Sequence, residues 1–457
     1  MENKLDLHKY VAITSIIILL VMTVLDVSLV NVALPVISKE FRVSESSTVW
    51  IVTIYQLLIV MLLLPLSSIG DQFSYRRNFL TGLVIFTIGS ALCSLAQSFT
   101  FLLISRGIQA LGAAGVMSVN VALVRVIYPR NLLGRGLALN AMCMSIATAA
   151  GPSLAGWILS ISNWHWLFLI NLPFGIVAFI IGIRTLPNNP YSPKDPKFDW
   201  MGGLLNALFF GLLFYSLGNI TEKNEFLSSL FFIVISIVIG IFYIRRELSS
   251  LHPMFPIDLF KRRLYSTSIL TSICSFIAQN LTIISLPFLF LSVLNLTELK
   301  TGLVMTPWPL ATMIISPLAA RWIEKHNAAF TAAFGMLIYM AGIILMIFIP
   351  NNAGLWDIIW RMTICGIGFG FFQTPNNIVM VMATPVERTG AAGGMQSTAR
   401  LTGQTMGSTL VSIVFAWVVG VHYSINVCLW IAFSFAIIAC VFSIDRGSQI
   451  VRRNVTL

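Results

Sequence analysis

Long apolar runs, broken by short polar stretches, recur from one end of the chain to the other. Six lie at 10–37, 48–68, 78–96, 100–124, 136–160 and 167–185, a pair follows at 202–220 and 226–244, and six more lie at 264–292, 300–321, 328–349, 355–380, 392–416 and 424–443. At 1.5 Å per residue a run of about 20 residues crosses a hydrocarbon core of about 30 Å. The runs are too long and too evenly apolar for the alternating, roughly ten-residue strands of a membrane barrel. The pattern therefore predicts an all-α integral membrane protein with 14 transmembrane helices. Their grouping predicts two six-helix bundles, arranged as parallel pseudo-repeats, plus two inserted helices. The expected division is 1–185 for the N-terminal bundle, 186–263 for cytoplasmic linker segments and the inserted pair, and 264–457 for the C-terminal bundle and a cytoplasmic tail. The linker Asn-Asn-Pro-Tyr-Ser-Pro-Lys-Asp-Pro-Lys at 188–197 is polar and Pro-rich, as a connection between bundles should be.

Inside the first run stands an acid, Asp26, with at least twelve uncharged residues on either side. An ionised carboxylate at that depth costs several kcal/mol, so such residues mark functional sites by default. Asp26 is the expected proton- or cation-handling group; the plainer reading is an acid that one Arg satisfies to hold two helices together. Arg106, in the fourth run, is its expected partner. By rise per residue, Arg106 sits about 9 Å and Asp26 about 16 Å below the outer surface, a gap that an Arg stem largely covers. Arg361 occupies the matching place in the second half, with Asp357 one turn away, so the two are expected to pair locally. Arg400 is the third cation inside a run.

Composition narrows the class. Hydrophobic residues make up 57% of the 457, charged residues 10%, and mean hydropathy is +0.88; a soluble domain carries about 25% charged residues. The net charge of +11 does not point to nucleic acid. With the N-terminus inside, 21 of the 28 Lys and Arg residues, Arg446 among them, fall in inner segments, four in outer segments and three within runs. That bias orients the chain with both termini cytoplasmic. The N-terminal stretch has no small-residue cleavage site and reads as a retained span. The six cysteines lie in apolar runs without a CxxC pair, and the five histidines lie at run ends or in loops, so neither a metal nor a cofactor is expected. With no phosphate-binding loop and no His-bearing acid–base set in the spans, the chain does not read as an enzyme or as an ATP-driven pump.

Polar and aromatic residues within the runs are candidates to line a substrate cavity: Asn31, Tyr55, Gln56, Asn120, Gln279, Asn280, Trp308, Gln373 and Asn376. Each is also the type that makes an ordinary interhelical hydrogen bond. Gly151, Pro152 and Gly156 in the fifth run form a small-residue face with a built-in bend, suited to gating or to close packing. Asp71 and Arg76 lie in the loop after the second run, and Arg321, Glu324 and Lys325 occupy the corresponding loop of the second half.

These residues resemble the major facilitator superfamily, in particular its 14-span drug:proton antiporter branch. Leu25-Asp26-Val27-Ser28-Leu29-Val30-Asn31-Val32-Ala33-Leu34-Pro35 is similar to the branch's first-helix signature. Arg106-Gly107-Ile108-Gln109-Ala110-Leu111-Gly112 resembles its fourth-helix motif and Gly151-Pro152-Ser153-Leu154-Ala155-Gly156 its antiporter motif, with Ala155 for one Gly. Trp164-His165-Trp166, with Phe168, Asn171 and Pro173, matches a further branch pattern with His for Arg. The cytoplasmic loop, which in the family gates switching, departs from its motif: Asp71 and Arg76 match, so the resemblance implies a gating role for these two, but both glycines and the first Arg are missing.

The resemblance implies proton-coupled efflux of small, lipophilic or cationic toxic compounds by alternating access. The proton gradient takes the place of a cofactor, and the site is the bacterial cytoplasmic (inner) membrane. In a Gram-negative cell it implies a periplasmic adaptor and an outer-membrane channel as partners. Two other readings stand beside it: export of one specific metabolite, bile acid, lipid or siderophore on the same fold, and a non-transporting membrane receptor or scaffold. A scaffold gains nothing from a costly buried acid.

Overall fold

The computed structural model describes residues 7–129, 132–189, 198–220, 225–249, 257–350, 352–382 and 389–455. Each of the predicted runs is a helix. The first half comprises α1 (Leu7–Phe41), α2 (Glu45–Gln72), α3 (Tyr75–Ser94), α4 (Phe99–Ile127), α5 (Leu133–Ile161) and α6 (His165–Thr185). The inserted pair is α7 (Trp200–Asn219) and α8 (Phe226–Ser249). The second half comprises α9 (Arg263–Val293), α10 (Glu298–Trp322), α11 (Ala328–Ile347), α12 (Leu355–Met382), α13 (Thr389–Trp417) and α14 (Val421–Val455). Among the described residues thirteen of these are long and apolar enough to cross a bilayer. The remaining helix, α13, carries Gln396, Arg400, Gln404 and a series of Ser and Thr residues. The chain is a multi-pass membrane protein.

Helices begin where short polar side chains can satisfy the first free N–H groups. Ser44, Ser74, Ser98, Asp199, Thr297 and Asn327 each accept from a backbone N–H two or three residues on. These caps serve, at the ends of the spans, the N–H groups that have no partner within the helix. Burial then sorts the helices. In the most apolar stretch of α9, 78% of residues are buried; in that of α8 only 22% are, and Phe231, Val234, Val238 and Phe242 face outward, as lipid-facing side chains do.

Glycines set the closest helix pairs and repeat across the halves. A Cβ on Gly112 of α4 would lie 2.2 Å from the backbone nitrogen of Phe86 on α3. A Cβ on Gly368 of α12 would lie 2.3 Å from that of Tyr339 on α11. The third and fourth helices of each half thus touch backbone to backbone.

The two halves meet along α2–α13, α5–α10 and α1–α9. At the end of the bundle away from the chain termini the seam is shut by small residues. The Ser46 and Ser412 hydroxyls are 3.1 Å apart, and Ser153 on α5 shares a 2.5 Å hydrogen bond with Thr306 on α10. A Cβ on Gly302 would meet the Pro152 carbonyl oxygen at 2.2 Å. One apolar core runs unbroken across this end, joining residues such as Leu29 and Ala155 to Leu281 and Trp308. The inserted α7 lies over the α2–α13 seam, where Asn206 donates to the Met61 carbonyl at 2.7 Å and Gly218 accommodates the Trp50 ring.

The seam geometry can be checked by cross-linking. With Ser46→Cys and Ser412→Cys combined, mild oxidation should remove both introduced thiols from maleimide labelling, whereas either variant alone should stay reactive.

Candidate functional site

Asp26 lies midway along α1 with no exposure to solvent, and three donors from neighbouring helices converge on it. Arg106 Nη1 of α4 donates to its Oδ2 at 2.6 Å. Gln109 Nε2, one turn further along α4, donates to Oδ1 at 2.8 Å, and Asn171 Nδ2 of α6 donates to the same oxygen at 3.2 Å. Ser90 of α3 closes the group, its Oγ accepting from Gln109 at 2.8 Å and from Asn171 at 3.4 Å. The i, i+3 spacing of Arg106 and Gln109 puts both on one face of α4, and their side chains also bond each other at 2.6 Å.

The guanidinium is equally enclosed. Its Nε donates to the Ile51 carbonyl of α2 at 3.3 Å, and its carbon sits 4.3 Å from the centre of the Tyr55 ring and 5.5 Å from that of Phe168. Both charges are 0% exposed, so this is a desolvated pair that needs its hydrogen bonds to offset the loss of water. Nη2 of Arg106 and the Tyr55 hydroxyl remain without partners.

The expected Asp26–Arg106 contact is therefore present, while Gln109, Asn171 and Ser90 went unselected in the sequence. Gln109 and Asn171 lie within the matched motifs, but neutral amides carry no signal of their own. Tyr55, expected at a cavity wall, instead covers Arg106 and belongs to this cluster.

The other candidates separate into distinct places. Gln56, the residue after Tyr55, faces the second half: its Oε1 accepts from Asn280 at 3.4 Å and from Ser408 at 3.3 Å, and its Nε2 is buried without a partner. Asn280 also donates to the Gln404 carbonyl at 2.6 Å. Asn31 and Asn120 are buried with unpartnered Oδ1 atoms, and Trp308 is buried with an unpartnered Nε1 against Tyr339. Gln279 and Gln373 are partly exposed.

Asn376 leaves the cavity list, because its Oδ1 accepts from Arg446 at 2.7 Å and its Nδ2 donates to Ser272 at 2.9 Å. Arg446 itself corrects the loop assignment. It is fully buried inside the second half, donating to Ser268, Asn376 and Ser443. Its long side chain reaches back into the bundle from near the end of the span, where three neutral acceptors wait.

Of the gating candidates, Gly151 packs on Ser28 of α1, while Pro152 and Gly156 meet α10 at the sealed end. Asp71 accepts from the Tyr75 hydroxyl at 2.8 Å, and Arg76 reaches the end of α6 and Asn188. Arg361 pairs with Asp357 at 3.1 Å, one turn apart. Arg321, Glu324 and Lys325 are exposed.

The sequence profile of the Major Facilitator Superfamily matches residues 16–407 and 268–448. The chain belongs to this superfamily. It is 44% identical over 407 residues to the uncharacterized transporter YebQ of Escherichia coli, covering 89% of each chain. It is 30% identical to the riboflavin transporter RibZ of Clostridioides difficile, over 90% of this chain and 89% of that one. It is also 30% identical to the multidrug resistance protein Stp of Mycobacterium tuberculosis, over 87% and 74%. A solved POT family transporter superposes with a TM-score of 0.73 at 17% identity, covering 95% of this chain and 96% of that chain, which speaks to the fold. Membership of the superfamily makes the protein a transporter and not an enzyme.

Removing one member of the pair tests the energetics. Arg106→Gln should lower stability by about 3–5 kcal/mol, since it strands a buried carboxylate. The double variant Asp26→Asn/Arg106→Gln should recover part of that loss, read as a non-additive cycle in unfolding experiments on the purified protein.

Proposed function

We propose that the protein is a proton-coupled efflux transporter for small lipophilic compounds, working by alternating access in a bacterial inner membrane. The observation that carries the reading is the enclosed Asp26–Arg106 pair, joined by Arg106 Nε to the helix that spans the seam. Transport by the superfamily needs a switch between two arrangements, and a coupling ion must differ in affinity between them. Asp26 is the coupling carboxylate.

Protonating Asp26 removes the counter-charge of Arg106 and leaves the guanidinium with two neutral acceptors, the Ile51 carbonyl and Gln109 Oε1. A buried cation without its partner is costly, so the helices must shift to serve it. Ile51 and Tyr55 lie on α2 between Ser46 and Gln56, the two α2 residues that bond the second half. A shift at the pair is thus transmitted to the seam within three turns of one helix.

With both termini cytoplasmic, as the Lys and Arg distribution orients them, the sealed end faces outward. Gly156, Pro152 and Gly302 form the outer closure, and Asp71 and Arg76 stand at the inner rim. The proton gradient is the energy source. The relatives named for multidrug resistance and for riboflavin support small organic compounds as cargo. A cation competing directly at Asp26 finds no support in the geometry, since both carboxylate oxygens already accept bonds and neither is exposed.

Proteoliposomes loaded with ethidium or carboxyfluorescein under an imposed pH gradient test the reading. The native protein should drive at least one dye uphill only when the gradient is present, and Asp26→Asn should abolish uphill movement while leaving downhill exchange. Retention of gradient-driven transport by Asp26→Asn would remove Asp26 as the coupling group. If the native protein moves neither dye uphill, the efflux reading falls.

A further inference from the structure

Among the described residues three further cations well within the helices, Arg361, Arg400 and Arg446, are not exposed to the surface, and two of them are served. Arg361 has Asp357, and Arg446 has Ser268, Asn376 and Ser443. Arg400 of α13 has nothing: among the described residues it makes neither an ion pair nor a hydrogen bond. It lies eleven residues into a 29-residue helix, about 16 Å along the axis, so it is far from either end. An unpaired guanidinium at that depth is costly and asks for a named partner.

The direction in which Arg400 projects follows from its neighbours on the helix. At about 100° per residue, Gly403 and Gly407 lie to one side of it and Leu401 and Ser408 to the other. Gly403 and Gly407 pack on Ile273, Phe276 and Asn280 of α9. Leu401 belongs to the apolar core of the first half, and Ser408 bonds Gln56 of α2. Arg400 therefore points between α9 and α2, into the space between the halves, and not toward lipid. Although packed helices flank it on both sides, it is partly exposed, so open space adjoins it there. That space lies on the termini side of the Gln56–Ser408 contact and of the small-residue closure beyond it. Gln404, one turn on, is also partly exposed and shares the wedge. Beside it on α9, Ile273 is apolar and partly exposed, and behind the space lie the packed apolar side chains of Phe276 on α9 and of Val60 and Leu63 on α2, the last two in one core with Leu401.

We propose that Arg400 is the substrate anchor and that the transported compounds are amphiphilic organic anions, with a carboxylate or sulfonate seated on Arg400 and an apolar body against α9 and α2. The anion supplies the counter-charge that the protein withholds. This assignment rests on the transporter reading above but not on proton coupling through Asp26. The charge of the cargo is then opposite to that expected from an acid-centred site, because the one acid deep in the spans is already neutralised in its own bundle.

Two xanthene dyes of similar frame and opposite charge test it: carboxyfluorescein, an anion, and rhodamine 123, a cation. Equilibrium binding to the purified protein, without any gradient, is read by fluorescence polarisation. The native protein should bind carboxyfluorescein more tightly than rhodamine 123. Arg400→Gln should weaken carboxyfluorescein by about tenfold or more, the loss of a charge-assisted hydrogen bond, and leave rhodamine 123 unchanged. Arg400→Lys, which keeps the charge but not the planar fork, should fall between and guards against a folding defect; unfolding temperatures of the ligand-free variants check the same point. The proposal is overturned if the native protein prefers rhodamine 123, if it binds neither dye, or if a folded Arg400→Gln binds carboxyfluorescein as the native protein does. Because no gradient enters the measurement, failure of proton coupling at Asp26 leaves this result readable.

Discussion

A carboxylate cannot stand bare inside a bilayer, and the first half of this protein is arranged around that constraint. Neutralising Asp26 requires Arg106, which brings α4 onto α1. Completing the carboxylate's hydrogen bonds requires Gln109 and Asn171, and satisfying those amides draws in Ser90. The guanidinium in turn needs acceptors and takes a backbone carbonyl of α2. Each step adds a helix, so five of the six helices of that half carry a group in one connected cluster. Replacing such a pair by apolar residues is often neutral for stability. Under the proposed coupling, its worth to a transporter lies instead in being bistable, since a proton on Asp26 would change what every member requires.

The second half repeats the helices but not the chemistry. Its matching Arg361 pairs with Asp357 one turn away, near a helix start, with 11% and 29% of the two side chains exposed. Such a contact is local to one helix and ties no others together. Arg446, a fully buried cation of that half, is held by neutral oxygens from three helices, a fixed brace with no titrating acid among its hydrogen-bond partners. The glycine contacts between third and fourth helices are shared by both halves, because close packing depends on small residues alone. If Asp26 couples protons and Arg400 anchors the cargo, as proposed, ion handling and ligand anchoring are divided: the acid belongs to the first half, and the unpaired cation to the second.

Much of this was legible in the sequence, for reasons that differ by residue. Span positions follow from apolar runs, since hydrocarbon thickness fixes their length. Asp26 and Arg106 stood out because a charge in such a run is rare, and helical rise placed them at compatible depths. Gln109, Ser90 and Asn171 did not, because neutral polar residues are common in spans and only the relative rotation of helices decides which of them converge. Tyr55 and Gln56 make the same point. They are adjacent in sequence, yet a rotation of about 100° sends one to the ion pair and the other to the opposite half. Arg446 was misplaced because it follows Asp445 near the end of a span, where a loop reading fits; only the acceptors on α9 and α12 reveal that it folds inward.

The contacts that join the halves are weak by design of their parts. Interhelical hydrogen bonds in membranes average about 0.6 kcal/mol each. Ser46–Ser412, Gln56–Ser408, Gln56–Asn280 and Ser153–Thr306 together then add about 2–3 kcal/mol to the seam, beside the apolar core that crosses the same end. Disrupting a buried ion pair by removing one charge costs about 3–5 kcal/mol. The hydrogen-bonded part of the seam and the ion pair are of the same order, a match that the proposed coupling through Asp26 would use. A seam held far more tightly would ignore the proton, and one held far more loosely would open without it. Glycine and serine at the closure would serve that balance, because where they stand the backbones meet without large side chains that would have to be extracted at each turnover.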